Sequence, residues 1–510
     1  MRAERHLTRL AKATGFDKYG RAPVSRTLEI GPGYNILLES SGRDGEKMKR
    51  LAVVVLAAGQ GTRMKSERAK VLHPVLGLPM IAYPLAVARA LGPERVVVVV
   101  GAQADKVKES LQGSGVRFAL QKEQKGTAHA VKAALPALRG FAGDVVALYG
   151  DSTLLRPETL KQLVRLHRRK KADMTLITAD LPDPFGYGRI IRDPNGAILG
   201  IVEQKDCTPE QHALTEFNPG IYCYRSDFLK KALPRVRNNN RQKEYYLTDL
   251  VEIAVKGGKQ VASLKIADAA ELMGINTRLE LAQAATALRA RINQAHCLAG
   301  VTIEDPDSAW IEPEVGIGKD TVIERGVRLC GRTTIGPECV IEMNVRIEDS
   351  WIRPGARIKA GSVLEECEVG EGTQVGPMAH LRPGSVIGRD ARIGNFVETK
   401  KARIGNGAKL SHLTYAGDAE IGKNVNIGCG FITCNYDGEK KHKTVIEDDV
   451  FVGSDTQTVA PVKIGKGAYI GSGSTITRDV PAGALALTRA PLVIKEGWTQ
   501  KRKAKKAGKK

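Results

Sequence analysis

The 510-residue sequence lacks the marks of a membrane, secreted or metal-clustered protein. No stretch approaches the roughly 18 uninterrupted apolar residues of a membrane span. The first fifty residues are basic but have no apolar signal-peptide core, which argues against secretion. Cysteines 207, 223, 297, 330, 339, 367, 429 and 434 include no C-x-x-C pair and no metal-ligand spacing. Scattered thiols of this kind fit a reducing cytoplasm with no disulfide framework.

Negative charge is scarce at the two ends. Net charge is +22, with eleven Lys/Arg against six Asp/Glu in residues 1–50 and eight against one in residues 495–510. These ends hold 5 and 7 of the excess, so the middle is only moderately basic, as suits anionic small substrates as well as nucleic acid. The tail KRKAKKAGKK reads as a solvated, disordered end. Met48, before KRLAVVVLAAG, makes a conventional start directly ahead of a first strand. Residues 1–47 are therefore expected to be a disordered extension or an upstream start.

From 48 to 275, Val-rich runs such as LAVVVLAA, RVVVVVGA and GDVVALYGD alternate with the helical stretches MIAYPLAVARALG and TAHAVKAALPALRG. The pattern predicts an α/β, Rossmann-like domain with a parallel sheet covered on both faces, and ligands at the carboxyl ends of its strands. Residues 276–299, rich in Ala, Leu and Arg, predict one long connecting helix. From 300 to 494 aliphatic residues recur every six positions. Ile317, Ile323, Leu329, Ile335, Ile341 and Ile347 form one series, which slips and resumes at Val375, Leu381, Ile387 and Ile393, then at Ile464, Ile470 and Ile476. Six is the hexapeptide period of a parallel β-helix, whose copies pack side by side as trimers.

The stretch AVVVLAAGQGTRM runs from a strand into a glycine-rich turn. A dinucleotide fingerprint needs a third glycine, and Met64 stands in its place; the GK[ST] of a P-loop is absent too. What remains is a Gly-x-Gly turn with Arg63 and, seven residues on, Lys70. Backbone amides would grip a nucleotide phosphate while the two cations neutralise charge during phosphoryl or nucleotidyl transfer. Read alone, the same residues also make a tight β–α turn with two surface cations.

LAAGQGTRM…KVLHPVLGLPM resembles the signature of sugar-nucleotide pyrophosphorylases. With QKEQKGTAHA, YGD, FGYGRI, IVEQKD and EYYLTD, then HLRPG, GNFVETKKARIG, HLTYAGDAEIG and ITCNYDG, the resemblance narrows. From about Met48 to Trp498 the chain is similar to the family of bifunctional N-acetylglucosamine-1-phosphate uridyltransferases/glucosamine-1-phosphate acetyltransferases. That resemblance implies a pyrophosphorylase domain and a left-handed hexapeptide β-helix in a cytoplasmic homotrimer. UTP and acetyl-CoA would be co-substrates and Mg²⁺ the cofactor, with no nucleic acid bound.

Carried over by motif, the resemblance places the nucleotide on Leu56, Ala57, Ala58 and Gly59, with Arg63 and Lys70 on its phosphates. Gln121, Gly126 and Thr127 would read uracil. Tyr149 and Gly150 precede Asp151, which with Asn276 would hold Mg²⁺, a hard cation that takes oxygen ligands. Gly188, Glu203 and Asn218 would contact the sugar. In the hexapeptide half the resemblance makes His412 the base for acetyl transfer, since an ammonium cannot attack a thioester and histidine titrates near neutrality. Arg382, Lys400, Tyr415 and Asn426 would bind the sugar phosphate. Cys429, Asn435, Tyr436, Ser454, Ser472 and Arg489 would bind acetyl-CoA, with Lys441 on a CoA phosphate.

The sequence departs from the family pattern at Ala69, Thr153, Pro219, Lys243, Cys429 and Phe431. None of these carries an assigned reacting role, so they bear on efficiency; Cys429 also brings a thiol to the CoA position. Two other readings are a single-activity sugar-1-phosphate nucleotidyltransferase with a trimerising hexapeptide domain, and a non-catalytic regulatory subunit. His412 with its cations weighs against the first, and Arg63, Lys70 and Asp151 against the second.

Overall fold

The run LAVVVLA forms strand β1 (Leu51–Ala57), in which every residue is buried. In this computed structural model residues 50–101 and 103–507 are described, so the expected extension 1–47 lies outside the described residues. Two units result, one built to Gly300 with Pro306–Gly316 and Leu329–Arg332, the other from Val301–Asp305, Ile317–Arg328 and Thr333 onward.

In the first unit β1 pairs in parallel with β2 (Arg95–Val100) and β4 (Asp144–Tyr149), and β2 with β3 (Arg117–Leu120). Here the parallel expectation holds. Beyond β4 it fails. Strand β9 (Tyr222–Arg225) runs antiparallel to both β4 and β5 (Met174–Asp180), and β6 (Gly188–Arg192) and β7 (Ile198–Val202) form an antiparallel pair. Strand β8 (Glu216–Asn218) is antiparallel to β5 and β6, while β10 (Val261–Lys265) lies parallel to β5. The reason is connection length: β6 and β7 are joined by a tight turn in which Gly196 N–H donates to Asp193 C=O at 2.9 Å. Parallel strands need a crossover of a dozen or more residues, which this segment does not have.

Helix α1 (Ala82–Arg89) and helix α2 (Thr127–Ala134) appear where the amphipathic stretches predict them, α2 giving way to a 3₁₀ turn over Leu135–Leu138 at Pro136. The expected connecting helix is α3 (Arg278–Leu298). Its start is a capping box: Thr277 Oγ1 accepts from Glu280 N–H, and the Glu280 carboxylate accepts from Thr277 N–H. Two otherwise orphaned backbone donors are thereby satisfied.

The second unit is a left-handed parallel β-helix. Val322 pairs with Val340, eighteen residues on, whereas Val340 pairs with Arg357 and Arg357 with Gln374, seventeen on each time. Those two shortened coils account for the slip in the six-residue series between Ile347 and Val375. The seventeen-residue spacing recurs from Arg392 to Lys409 and from Lys409 to Asn426; Asn426 then pairs with Phe451, 25 residues on, and that excess is the DGEKKHK loop. The serial aliphatics are buried, apart from Ile317, which is half-buried. The glycines that follow them have a steric reason. A Cβ on Gly428 would lie 2.4 Å from Ser454 N, because the next coil passes that close.

The basic tail departs from expectation, forming helix α4 (Trp498–Ala507) with Arg502 over the Trp498 ring at 5.2 Å. Lys, Arg, Gln and Ala are good helix formers, and an i,i+4 cation–ring contact adds to them. Among the described residues no helix is long and apolar enough to cross a membrane.

Candidate active sites

The register Leu56↔Tyr149 sets the end of β4 beside the end of β1, and Gly150 N–H donates to Leu56 C=O at 2.9 Å. Both strands open into one cleft of about 410 Å³. Of the residues expected there, Leu56, Ala57, Ala58, Gly59, Arg63, Lys70, Gln121, Gly126, Thr127, Tyr149, Asp151, Gly188, Glu203, Asn218 and Asn276 all line it. Gly150 does not. A Cβ there would lie 3.1 Å from Val71 Cγ1 and 3.3 Å from Ala57 Cβ, so its part is to let the two strand ends pack closely.

The opening loop is shaped around its cations. Gly61 adopts φ +66°, and a Cβ on it would lie 2.5 Å from Lys70 Cβ. Only glycine lets the Lys70 stem pass so close at that backbone conformation. The Lys70 ammonium donates to Asn276 Oδ1 at 2.8 Å and forms an ion pair with Asp151, while Arg63 donates to the same Asn276 oxygen at 2.9 Å. Asn276 is itself fixed by the start of α3, where its N–H donates to Glu280 Oε2 at 2.5 Å.

Two oxygen donors, Asp151 and Asn276, thus converge on one cationic centre. A hard divalent cation takes such donors, so the pair fits Mg²⁺ held through one carboxylate and one amide oxygen. No group of three or more His, Cys, Asp or Glu able to hold a metal occurs among the described residues. The remaining ligands would have to come from substrate phosphates and water.

Elsewhere in the cleft, Glu203 accepts from the Thr248 hydroxyl at 3.1 Å, and burial pushes its carboxyl above the ordinary range. Burial raises Tyr149 as well. Asn218 is braced internally: its amide donates to Tyr222 OH at 2.7 Å and its carbonyl accepts Gly220 N–H at 3.1 Å. Gly126, at φ +101°, brings the chain so close to Tyr245 that a Cβ would lie 2.5 Å from the Tyr245 carbonyl.

Sequence reasoning missed Tyr187, Gln124, Gly220 and Glu244, which also line the cleft. The Tyr187 hydroxyl accepts Gly274 N–H at 3.1 Å, tying the loop before β6 to the segment that carries Asn276. Its signal was the FGYGRI motif, from which only Gly188 was taken. Among the departures, Pro219 lines the cleft, Ala69 is buried, and Thr153 is buried with no partner for its hydroxyl among the described residues. Lys243 sits at φ +54°, a conformation that favours glycine.

The second site rests on two nine-residue strands, β11 (Arg392–Lys400) and β12 (Lys409–Gly417), which pair Asn395 with His412 and Glu398 with Tyr415. His412 Nδ1 lies 3.0 Å from Asn395 Oδ1. With that oxygen as acceptor, the ring proton sits on Nδ1 and the Nε2 lone pair is left for a substrate. Asn395 was not anticipated, although GNFVETKK contains it.

Arg382 donates to Glu398 at 2.8 Å. Repulsion from Lys441, then from Arg382, lowers the Lys400 pKa, so three cations crowd one point. Lys441, expected at a CoA phosphate, is brought beside Lys400 and Arg382 by the inserted loop. Asn426 pairs with Lys409 and Phe451 on another face, and no bond among the described residues joins it to Lys400 or Tyr415.

From His412 a line of expected residues follows one corner of successive coils. Gly430 N–H donates to Leu413 C=O at 2.7 Å, Asp455 N–H to Cys429 C=O at 2.6 Å, and Gly473 N–H to Ser454 C=O at 2.8 Å. Arg489 closes the line by donating to Ser472 C=O at 3.2 Å. Asn435 and Tyr415 meet over Gly417, whose Cβ would lie 2.4 Å from Tyr415 OH and 2.8 Å from Asn435 Nδ2. Tyr436 and Cys429 are exposed, and Phe431 is fully buried.

Comparison with known proteins follows the same division. The nucleotidyl transferase family model matches residues 52–285, the GMPPB C-terminal domain model residues 311–417, and the bacterial transferase hexapeptide (six repeats) model residues 443–478. The chain is 53% identical to the bifunctional protein GlmU of Geotalea uraniireducens over 457 residues, 89% of this chain and 100% of that relative. It is 52% identical to the protein of that name in Pelobacter propionicus over 459 residues, 90% of this chain and 100% of the relative. For Halalkalibacterium halodurans the figures are 47% over 455 residues, 89% and 100%.

Proposed function

The chain belongs to the GlmU family of bifunctional proteins, and from that membership we infer two transferase activities that together make UDP-N-acetylglucosamine. The hexapeptide unit acetylates the amine of glucosamine 1-phosphate with acetyl-CoA. The α/β unit joins the resulting N-acetylglucosamine 1-phosphate to UTP and releases pyrophosphate. The product is a cell-wall precursor.

For uridylyl transfer we propose that a phosphate oxygen of the sugar attacks the α-phosphorus of UTP while pyrophosphate leaves. No protein nucleophile is needed, and the work is positioning and charge neutralisation. Ala57, Ala58 and Gly59 cradle the nucleotide, Gln121, Gly126 and Thr127 read the base, and Gly188, Glu203 and Asn218 hold the sugar. Arg63 and Lys70 neutralise the triphosphate. Asp151 and Asn276 would hold Mg²⁺, which when bound offsets phosphate charge. The observation that carries this reading is the convergence of Arg63 and Lys70 on Asn276, with Asp151 paired to Lys70, at the mouths of β1 and β4.

For acetyl transfer, His412 Nε2 takes a proton from the substrate ammonium and the freed amine attacks the thioester carbonyl; the C–S bond then breaks, and CoA leaves as the thiol with the second proton of the nitrogen. Arg382, Lys400 and Lys441 meet the sugar phosphate with Tyr415. The strip through Cys429, Ser454, Ser472 and Arg489 receives the CoA. We also propose a cytoplasmic homotrimer; the hexapeptide fold and eight free cysteines support this.

The test is to supply glucosamine 1-phosphate, acetyl-CoA, UTP and Mg²⁺ together. UDP-N-acetylglucosamine, free CoA and pyrophosphate are expected; UDP-glucosamine without acetylation would overturn the order.

A further inference from the structure

Gln121 lies just past β3, only 3% exposed, on the wall of the cleft. Its amide nitrogen has two neighbours, Gly126 C=O at 3.2 Å and His129 Nδ1 at 3.1 Å. A backbone carbonyl can only accept, so the end of the amide that faces Gly126 is the NH₂ end, and the orientation of the group is fixed by chemistry. His129 Nδ1 must then accept the second N–H, with the ring proton on Nε2. Both amide protons are engaged. The Gln121 atom left for a ligand is Oε1, since both bonds of the side chain run through its nitrogen.

His129 is well placed for this. It stands on the first turn of α2, two residues past Thr127, and its ring packs against Tyr245 at 6.5 Å. The Tyr245 segment in turn crosses Gly126, and Ala128 N–H donates to Tyr245 C=O at 2.9 Å. The acceptor offered to Gln121 is thus held from two sides.

We infer that His129 is a positioning residue that sets base choice, by holding the Gln121 amide so that the cleft presents an acceptor to the base. The inference rests on the reading that Gln121 faces the base. An acceptor at that point suits a pyrimidine with a ring N–H, which is the N3–H of uracil or thymine. Cytosine offers a lone pair at N3 instead. Two lone pairs would then face each other in a buried setting, with neither satisfied. Terminal amide torsions are broad and two-fold, so without His129 only the single bond to Gly126 C=O opposes turning the amide to offer a donor.

The experiment measures kcat/KM for UTP and for CTP with N-acetylglucosamine 1-phosphate, by pyrophosphate release, with acetyl transfer as the control for folding. In His129→Ala the UTP/CTP ratio should fall about tenfold, partly through improved use of CTP, with acetyl transfer unchanged. His129→Asn, whose side-chain oxygen can take the place of Nδ1, should restore the ratio. His129→Leu, closer in bulk, replaces the alanine variant if that one does not fold. Equal loss with UTP and CTP at an unchanged ratio would mean that His129 only packs, and would overturn the proposal. Gln121→Leu separates the two layers. A lowered ratio there with an unchanged one in His129→Ala refutes the role of His129 alone. An unchanged ratio in Gln121→Leu refutes the base reading and the proposal with it.

Discussion

Arg63 and Asn276 stand 213 positions apart in the chain and meet at 2.9 Å, the guanidinium donating to the side-chain oxygen. Lys70 donates to the same oxygen and pairs with Asp151. The nucleotide loop, the end of β4 and the start of α3 are therefore joined at one amide.

Asn276→Ala should remove that junction and leave two cations unplaced. Uridylyl transfer should fall at least 10²-fold in kcat, because a catalytic group held off its position costs about that much. Acetyl transfer should be unaffected. Pyrophosphate release and CoA release, assayed separately on one preparation, check both halves.

Asn395→Ala should leave His412 in place but free its ring to take either tautomer. Acetyl transfer should drop about 10- to 100-fold in kcat with little change in KM for glucosamine 1-phosphate, and uridylyl transfer should persist. A large rise in KM instead would make Asn395 a sugar contact.

His296 makes stability depend on pH. Burial in α3 lowers its pKa from 6.5 to about 4, and its Nδ1 has no partner among the described residues. Between those values the unfolded chain binds a proton that the folded chain does not. Stability is therefore lost as pH falls from about 6.5 to 4 and levels off below, by up to about 3 kcal/mol. Thermal melts of His296→Leu across that range should show a flatter dependence than the parent; equal slopes would contradict this.

The parts of the fold that repeat were legible in the sequence. β1, β2 and β4 announce themselves as Val runs, and the six-residue series marks every coil it touches. Antiparallel β6 to β9 were not legible, because short strands of mixed polarity carry little periodicity and their direction is set by turn length. The site divided the same way. Lys70, Asp151 and His412 lie in motifs long enough to identify. Tyr187, Asn395 and His129 act through partners distant in sequence or on another element, and only the folded chain brings those partners to them. Lys441 stands beside Lys400 and Arg382, a juxtaposition that an inserted loop does not announce in the sequence.

The central claim is that two independent sites, one in each unit, carry the two transfers. It is tested most directly by assaying His412→Ala and Asp151→Ala each for both half-reactions. His412→Ala should lose acetyl transfer from acetyl-CoA to glucosamine 1-phosphate, yet still convert N-acetylglucosamine 1-phosphate and UTP to product near the parent rate. Asp151→Ala should do the reverse, and the two variants mixed should again make UDP-N-acetylglucosamine from glucosamine 1-phosphate. Loss of both activities in either variant, with the protein folded, would contradict the account.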